Sequence, residues 1–169
     1  MTDYEKTWDE RLKIETTGRD DINSDEYRFP YEPTPYCVLA RLGDSGLIGK
    51  SDVVLDYGCG KGRVGFFLSD QKQVKTIGIE YDKRIYGEAL KNQMTAGAKA
   101  DFIMMRAEAY SEGMFGSGKS AMIEIYTHCF HEVVREFFLS GFVKLTPKAF
   151  IGHLLFFGDL FDKRNKSAF

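Results

Sequence analysis

Val53-Val54-Leu55-Asp56-Tyr57-Gly58-Cys59-Gly60-Lys61-Gly62-Arg63 decides the reading of this chain. Its first three residues are apolar and rich in β-branching, a run too short for a helix and suited to a strand. Arg63 to Ser69, just beyond, is strongly apolar and helical in character. Between them stand Gly58, Gly60 and Gly62 at alternate positions. Glycine lets the backbone turn tightly and come within contact distance of a ligand, an approach that Cβ atoms would block. A strand before such a turn and a helix after it is the setting of a nucleotide-binding turn. An acid in the right place strengthens the reading. Glu80 closes the next apolar run, Thr76-Ile77-Gly78-Ile79, and a carboxylate at that strand tip can accept hydrogen bonds from both hydroxyls of a ribose.

The spacing also separates kinds of ligand. Dinucleotide enzymes set a pyrophosphate against the helix N-terminus, usually through G-x-G-x-x-G. Here the pattern is G-x-G-x-G, and Asp56 stands at the end of the strand. A carboxylate there repels a pyrophosphate. It suits a ligand that carries an ammonium and a sulfonium.

Working outward, the chain alternates. Residues 3–13 read as a short charged helix with the sole tryptophan, Trp8, and residues 15–33 as irregular, rich in turn formers such as Thr16, Gly18, Asp20 and Asn23. Thr34-Pro35 reads as an N-cap followed by proline at the first helical position. Val38, Leu39 and Leu42 share a face of that helix, and Gly43 and Gly46 end it. Strands follow at 53–55 and 76–79, then a helix capped by Asp82 with Ile85, Tyr86, Ala89 and Leu90 on one face. Phe102 to Met105 and Met122 to Tyr126 read as strands three and four. Phe130, Val133, Val134, Phe137 and Phe138 mark an amphipathic helix, and Ala149 to Phe157 a fifth strand broken by Gly152. The tail from Asp162 is polar and basic. Strands alternating with helices imply right-handed βαβ units. The expected fold is α/β, a Rossmann-like, doubly wound, mostly parallel sheet. Residues 1–33 lead into it, and residues 34–169 form the cofactor-binding domain. Such folds bind ligands beyond the carboxyl ends of the strands, near the reversal of strand order.

Asp56 to Gly62 resembles motif I of the class I S-adenosylmethionine-dependent methyltransferases. Gly78-Ile79-Glu80-Tyr81-Asp82 looks like their second motif, and Asp101 to Glu108 is similar to their third-strand motif. Pro30 to Tyr36 resembles a segment that some of these enzymes fold over the cofactor. The resemblance spans residues 30–110 and implies S-adenosylmethionine as cofactor. It implies a methionine pocket shaped by Asp56, Gly58, Cys59, Gly60 and Gly62, with Glu80 on the ribose. Tyr81, Ala107 and Glu108 would then border the adenine. Glu108 also reads simply as a first-turn helix acid, favoured by the helix dipole. Methyl transfer is an in-line displacement, in which the protein positions the acceptor and excludes water, so no dedicated catalytic side chain is expected.

The chain departs from the family after the fourth strand. Many nitrogen methylators carry Asn or Asp and then Pro-Pro or Pro-Phe there. This chain reads Tyr126-Thr127-His128-Cys129-Phe130-His131. Tyr126, Thr127 and His128 are expected on the acceptor side. His128 and His131 are candidate general bases, or plain polar residues of a loop and helix start. With Cys129 their spacing is too tight for a zinc site, and no metal is expected. After Phe157 twelve residues remain, where the full fold has a sixth and a seventh strand. The last strands are therefore expected to be missing. A reading-frame change upstream of Ser120 would explain both departures, and a three-frame comparison of the coding sequence would test it.

Two readings compete. One is a cofactor-binding protein without transferase activity. The other rests on Gly113-Met114-Phe115-Gly116-Ser117-Gly118-Lys119-Ser120, which fits the P-loop of nucleotide hydrolases and kinases. Its context disagrees, because a P-loop follows a strand and opens a helix, whereas here a strand-like run follows.

Composition sets the bounds. The chain has 169 residues, the size of one domain, with 43% hydrophobic and 28% charged residues. A net charge of −2 leaves no broad basic footprint for nucleic acid, yet protein, small-molecule and nucleic-acid acceptors all stay open. Cys37, Cys59 and Cys129 lack metal spacing and are odd in number, as reduced thiols would be. The charged Met1 to Ile14 is no signal peptide, and no apolar run reaches the length of a membrane span. A cytoplasmic protein without membrane contact is expected.

Overall fold

Parallel pairing builds the sheet. Strands β1 (Val53–Tyr57), β2 (Lys75–Glu80), β3 (Asp101–Met104) and β4 (Met122–Tyr126) lie in the order β3-β2-β1-β4. The computed structural model describes residues 3–24, 30–106, 109 and, by backbone alone, 122–126. β1 is the hub. Asp56 lies opposite Gly78 on one side and Ile125 on the other, and Tyr57 opposite Ile79 and Tyr126. From β1 the chain steps outward to β2 and β3, and β4 lands on β1's other side. Strand order therefore reverses at β1, where the glycine turn leaves the sheet.

The helices are α1 (Asp3–Leu12), α2 (Tyr36–Asp44), α3 (Arg63–Lys72) and α4 (Lys83–Thr95). α3 buries Val64, Gly65, Phe66, Phe67 and Leu68 in succession, which is why its sequence is apolar rather than striped. Gly65 lets it approach β2. A Cβ there would stand 3.3 Å from Thr76 Oγ1, and that hydroxyl donates to the Gly65 carbonyl at 3.2 Å. Alternate strand residues feed two clusters. Val54 joins Leu12, Ile14, Tyr36, Leu39 and Phe67, while Leu55, Tyr57, Ile77 and Ile79 form the other.

The N-terminal residues share this core. Trp8 stacks on Tyr36 at 5.6 Å between centroids and meets Phe67 edge-on at 4.9 Å. Buried Asn92 of α4 accepts from the Glu15 amide at 2.8 Å and donates to the Lys61 carbonyl at 3.0 Å. Residues 15–33 are irregular where described, crossed by one antiparallel bridge between Asp20 and Tyr31.

Two local expectations are corrected. Thr34 does not cap α2; Pro35 occupies the cap position and offers no side-chain bond. The first helical amide, that of Tyr36, donates instead to Glu5 Oε1 at 3.1 Å, a cap delivered from α1. Nor does Gly43 end α2. It lies inside the helix on the buried face with Tyr36 and Leu39, where the Lys72 side chain crosses it. Ser45 closes the helix, its Oγ donating to the Leu42 carbonyl at 2.6 Å, and Gly46 follows at a φ of +78°. The helix read at 130–138, the strand at 149–157, the tail and the P-loop-like stretch at 113–120 lie outside the described residues.

Candidate cofactor site

β1 runs into the turn without losing its partner. The amides of Gly58 and Cys59 both donate to the Ile79 carbonyl, at 2.9 and 3.0 Å. Gly58, Gly60 and Gly62 have φ values of +72°, +56° and +89°. That left-handed region costs a side-chain-bearing residue about 1–2 kcal/mol. Space is a second constraint. A Cβ on Gly60 would stand 2.3 Å from Tyr31 Cε2, and one on Gly62 2.5 Å from Phe102 Cζ. Glycines at such a turn are expected to let a ligand approach. The groups that approach Gly60 and Gly62 here are rings of the chain itself.

Glu80 ties the second motif to the first. Its carboxylate is 3% exposed and accepts from the Gly60 amide at 3.0 Å through Oε2. Oε1 accepts from the amides of Tyr81 and Asp82, each at 2.9 Å. Amide-to-carboxylate bonds are stronger than neutral ones, so this acid fixes the shape of the turn whatever else it binds. Cys59 is buried beside Gly78, where a Cβ would meet Sγ at 2.6 Å. Burial pushes its thiol up, with Asp56 and Glu80 adding to the effect. Cys59 is thus a packing residue rather than a nucleophile.

Asp82 caps α4 as expected, accepting from the Arg84 and Ile85 amides at 2.8 and 3.3 Å. It also accepts from Asn23 Nδ2 at 2.8 Å. Asp20, Asn23, Tyr31, Glu80, Tyr81 and Arg84 line a small cleft at the carboxyl end of β2.

Directly after the turn lies a cluster that sequence reasoning missed. The Arg63 side chain is 3% exposed. It pairs with Glu5, lies 3.6 Å from Asp9 and donates to Thr16 Oγ1 at 2.7 Å and the Thr34 carbonyl at 3.2 Å. It also sits over the Tyr36 ring at 4.3 Å. Asp9 accepts from the Thr16 amide and hydroxyl and from the Tyr36 phenol, at 2.6, 2.7 and 2.5 Å. Burial, with the Asp9 carboxylate beside it, holds the proton on Tyr36. One signal was present in the sequence. An arginine in the first turn of a helix opposes the helix dipole and needs acidic partners from elsewhere.

The structure therefore gathers Asp56, Gly58, Cys59, Gly60, Gly62, Glu80 and Tyr81 at the carboxyl ends of β1 and β2. Tyr126 ends β4 in register with Tyr57. Ala107, Glu108, Thr127 and His128 lie outside the described residues, as do Cys129 and His131. Among the described residues no cluster of His, Cys, Asp and Glu could hold a metal, and no helix is long and apolar enough to cross a membrane.

The family model described as "Methionine biosynthesis protein MetW" matches residues 45–102, from the end of α2 through the turn to β3. A protein-lysine N-methyltransferase of Saccharolobus islandicus is 36% identical over 64 residues, 37% of this chain. Over about a third of its length the chain is similar to an S-adenosylmethionine-dependent methyltransferase sequence. It spans 40% of the length of that curated methyltransferase relative. Among solved methyltransferases, an RNA methyltransferase from Salinibacter ruber is 27% identical, with a TM-score of 0.44 over 47% of this chain and 53% of that one. A methyltransferase from Thiobacillus denitrificans is 23% identical, also at 0.44, over 55% and 38%.

Proposed function

We propose that this chain binds S-adenosylmethionine at the glycine turn and transfers its methyl group to an acceptor. The observation that carries the reading is the bond from the Gly60 amide to Glu80, which joins turn and acid into one built site at the reversal of strand order. The match over residues 45–102 supports it. The bound cofactor supplies a methyl group activated on a sulfonium. Asp56, Gly58, Cys59, Gly60 and Gly62 form the methionine side. Glu80 takes the ribose, and Tyr81, Ala107 and Glu108 border the adenine. Tyr126, Thr127 and His128 face the acceptor. The curated relative is named for protein lysine, which makes a protein amine the first acceptor to try.

Calorimetric titration with S-adenosylhomocysteine tests the reading, with Glu80→Gln as the control and thermal melts to show that both proteins fold. Micromolar binding, weakened about ten-fold or more in the variant, is expected from the loss of a charge-assisted bond. A folded wild type that ignores S-adenosylhomocysteine and binds ATP with magnesium would sink it.

A further inference from the structure

We propose that Thr16–Ser24 is a flap beside the glycine turn, latched to α4 by the Asp20–Arg84 ion pair, and that its unlatching gates admission and release of the cofactor. The proposal rests on the cofactor reading above. The two ends of this segment are unlike. At Thr16 the chain is fully buried and clamped by Asp9 and Arg63. Six residues on, Ile22 is 73% exposed. Between them Gly18 has a φ of +94° and nothing within 4 Å of where a Cβ would stand, a pivot without packing around it.

The outer half is held by polar contacts to the first turn of α4. Arg84 grips the Asp20 carboxylate with both terminal nitrogens, Nη2 standing 2.8 Å from Oδ1. Asn23 reaches Asp82 at 2.8 Å. The Arg84 side chain is 41% exposed, and ion pairs that water can reach are weak and screened by salt. A fixed inner end and a breakable outer end make a hinged element.

The flap is also bonded to the group that touches the turn. Asp20 and Tyr31 exchange backbone bonds of 3.0 and 2.7 Å, and the Tyr31 phenol donates to the Thr16 carbonyl. Lys61, inside the turn, donates to the Thr17 carbonyl at 3.1 Å and lies 5.0 Å from the centre of the Tyr31 ring. That ring is what a Cβ on Gly60 would strike. Asp20, Asn23 and Arg84 share the cleft with Glu80 and Tyr81, so a ligand reaching Glu80 passes the latch.

The test uses the full chain and compares wild type with Arg84→Met, Asp20→Asn and the double variant. S-adenosylhomocysteine association and dissociation rates are read on immobilised protein. Each single variant raises both rates about three-fold, the double variant goes no further, and the ratio of the rates stays within about two-fold of wild type. Raising salt from about 50 to about 500 mM speeds the wild type toward the variants and leaves the variants unchanged. In ligand-free protein, amide exchange quickens at Asp20 and Tyr31 in the variants but not at Val54 or Ile77. A wild type that binds, with variants matching it in both rates, overturns the gate and leaves the cofactor site standing. So does a rise in the dissociation rate alone, which would make the pair an ordinary ligand contact. A folded wild type that does not bind overturns the cofactor reading and the gate with it.

Discussion

Gly60 meets two demands at once, and they can be separated. Its φ of +56° disfavours any side chain, and the Tyr31 ring fills the place of a Cβ. Gly60→Ala is expected to cost about 1–2 kcal/mol for the backbone and about 1–3 kcal/mol for the overlap. In a Tyr31→Ala background only the backbone part of the Gly60→Ala cost should remain, and urea melts of the four proteins measure the difference. Equal costs in both backgrounds would show that the ring yields freely. Arg63 gives a second prediction. Its removal leaves Glu5 and Asp9 as poorly compensated acids, so Arg63→Met should destabilise by about 3–5 kcal/mol. Asp9→Asn in that background should recover part of the loss, again by urea melts. At this scale the sequence showed a tight glycine turn, which the positive φ values match, but not the groups the turn touches. Tyr31 is 29 positions before Gly60, and Glu5 is 58 before Arg63. Nothing local records such meetings.

Elements show the same division between local and distant causes. The cap on α4 was legible because Asp82 bonds amides two and three residues ahead. The start of α2 was misread because its cap comes from Glu5, 31 positions earlier. Asp82→Ala should cost about 1 kcal/mol as a lost cap and also free Asn23, quickening amide exchange in the flap. The flap has a pH dependence of known sign. The Arg84 hydrogen bond, with the Ile22 amide helping, holds the Asp20 carboxyl below its ordinary value against the opposing effect of burial. Asp82 is pushed up by burial, but Asn23, the Arg84 and Ile85 amides and the Arg84 charge bring it lower on balance. A depressed carboxylate contributes its full effect above the unfolded-state value and loses it as pH falls through the folded one. The latch should hold at neutral pH and fail only below the ordinary aspartate range, about 4. Exchange at Asp20 and Tyr31, corrected for its intrinsic pH dependence, should rise there and not between pH 5 and 8. A rise near neutrality would point to another group.

For the whole molecule, alternation of strand and helix was enough to give a parallel sheet, and the position of the glycines gave the reversal point. The strand order itself was not legible, since β4 could have continued outward from β3. The structure instead sets Met122–Tyr126 against β1. Nor was the standing of the first 33 residues. They read as a lead-in because they are charged and rich in turn formers, but Leu12, Ile14 and Trp8 belong to the cluster of Val54 and Phe67. We expect a chain beginning at residue 34 to melt without a cooperative transition, because Tyr36 and Phe67 would be uncovered and Arg63 stripped of its acids. A sharp calorimetric transition in that truncated chain would show instead that residues 34–169 fold as a unit of their own. The family-model match over residues 45–102 does not reach this N-terminal packing.

The buried cluster also sets an order of assembly. Glu5 is synthesised 58 residues before Arg63, which at ribosomal speeds of about 5–20 residues per second is an interval of about 3–12 seconds. During it the acids Glu5 and Asp9 of α1 lack the Arg63 guanidinium they pair with, and a solvated charged face keeps so short a segment from sticking elsewhere. The first helix described is therefore placed no earlier than α3. Slowing elongation between residues 12 and 63 would lengthen only that wait, while slowing it once residue 63 has cleared the ribosomal tunnel would give α1 time to dock on its anchor.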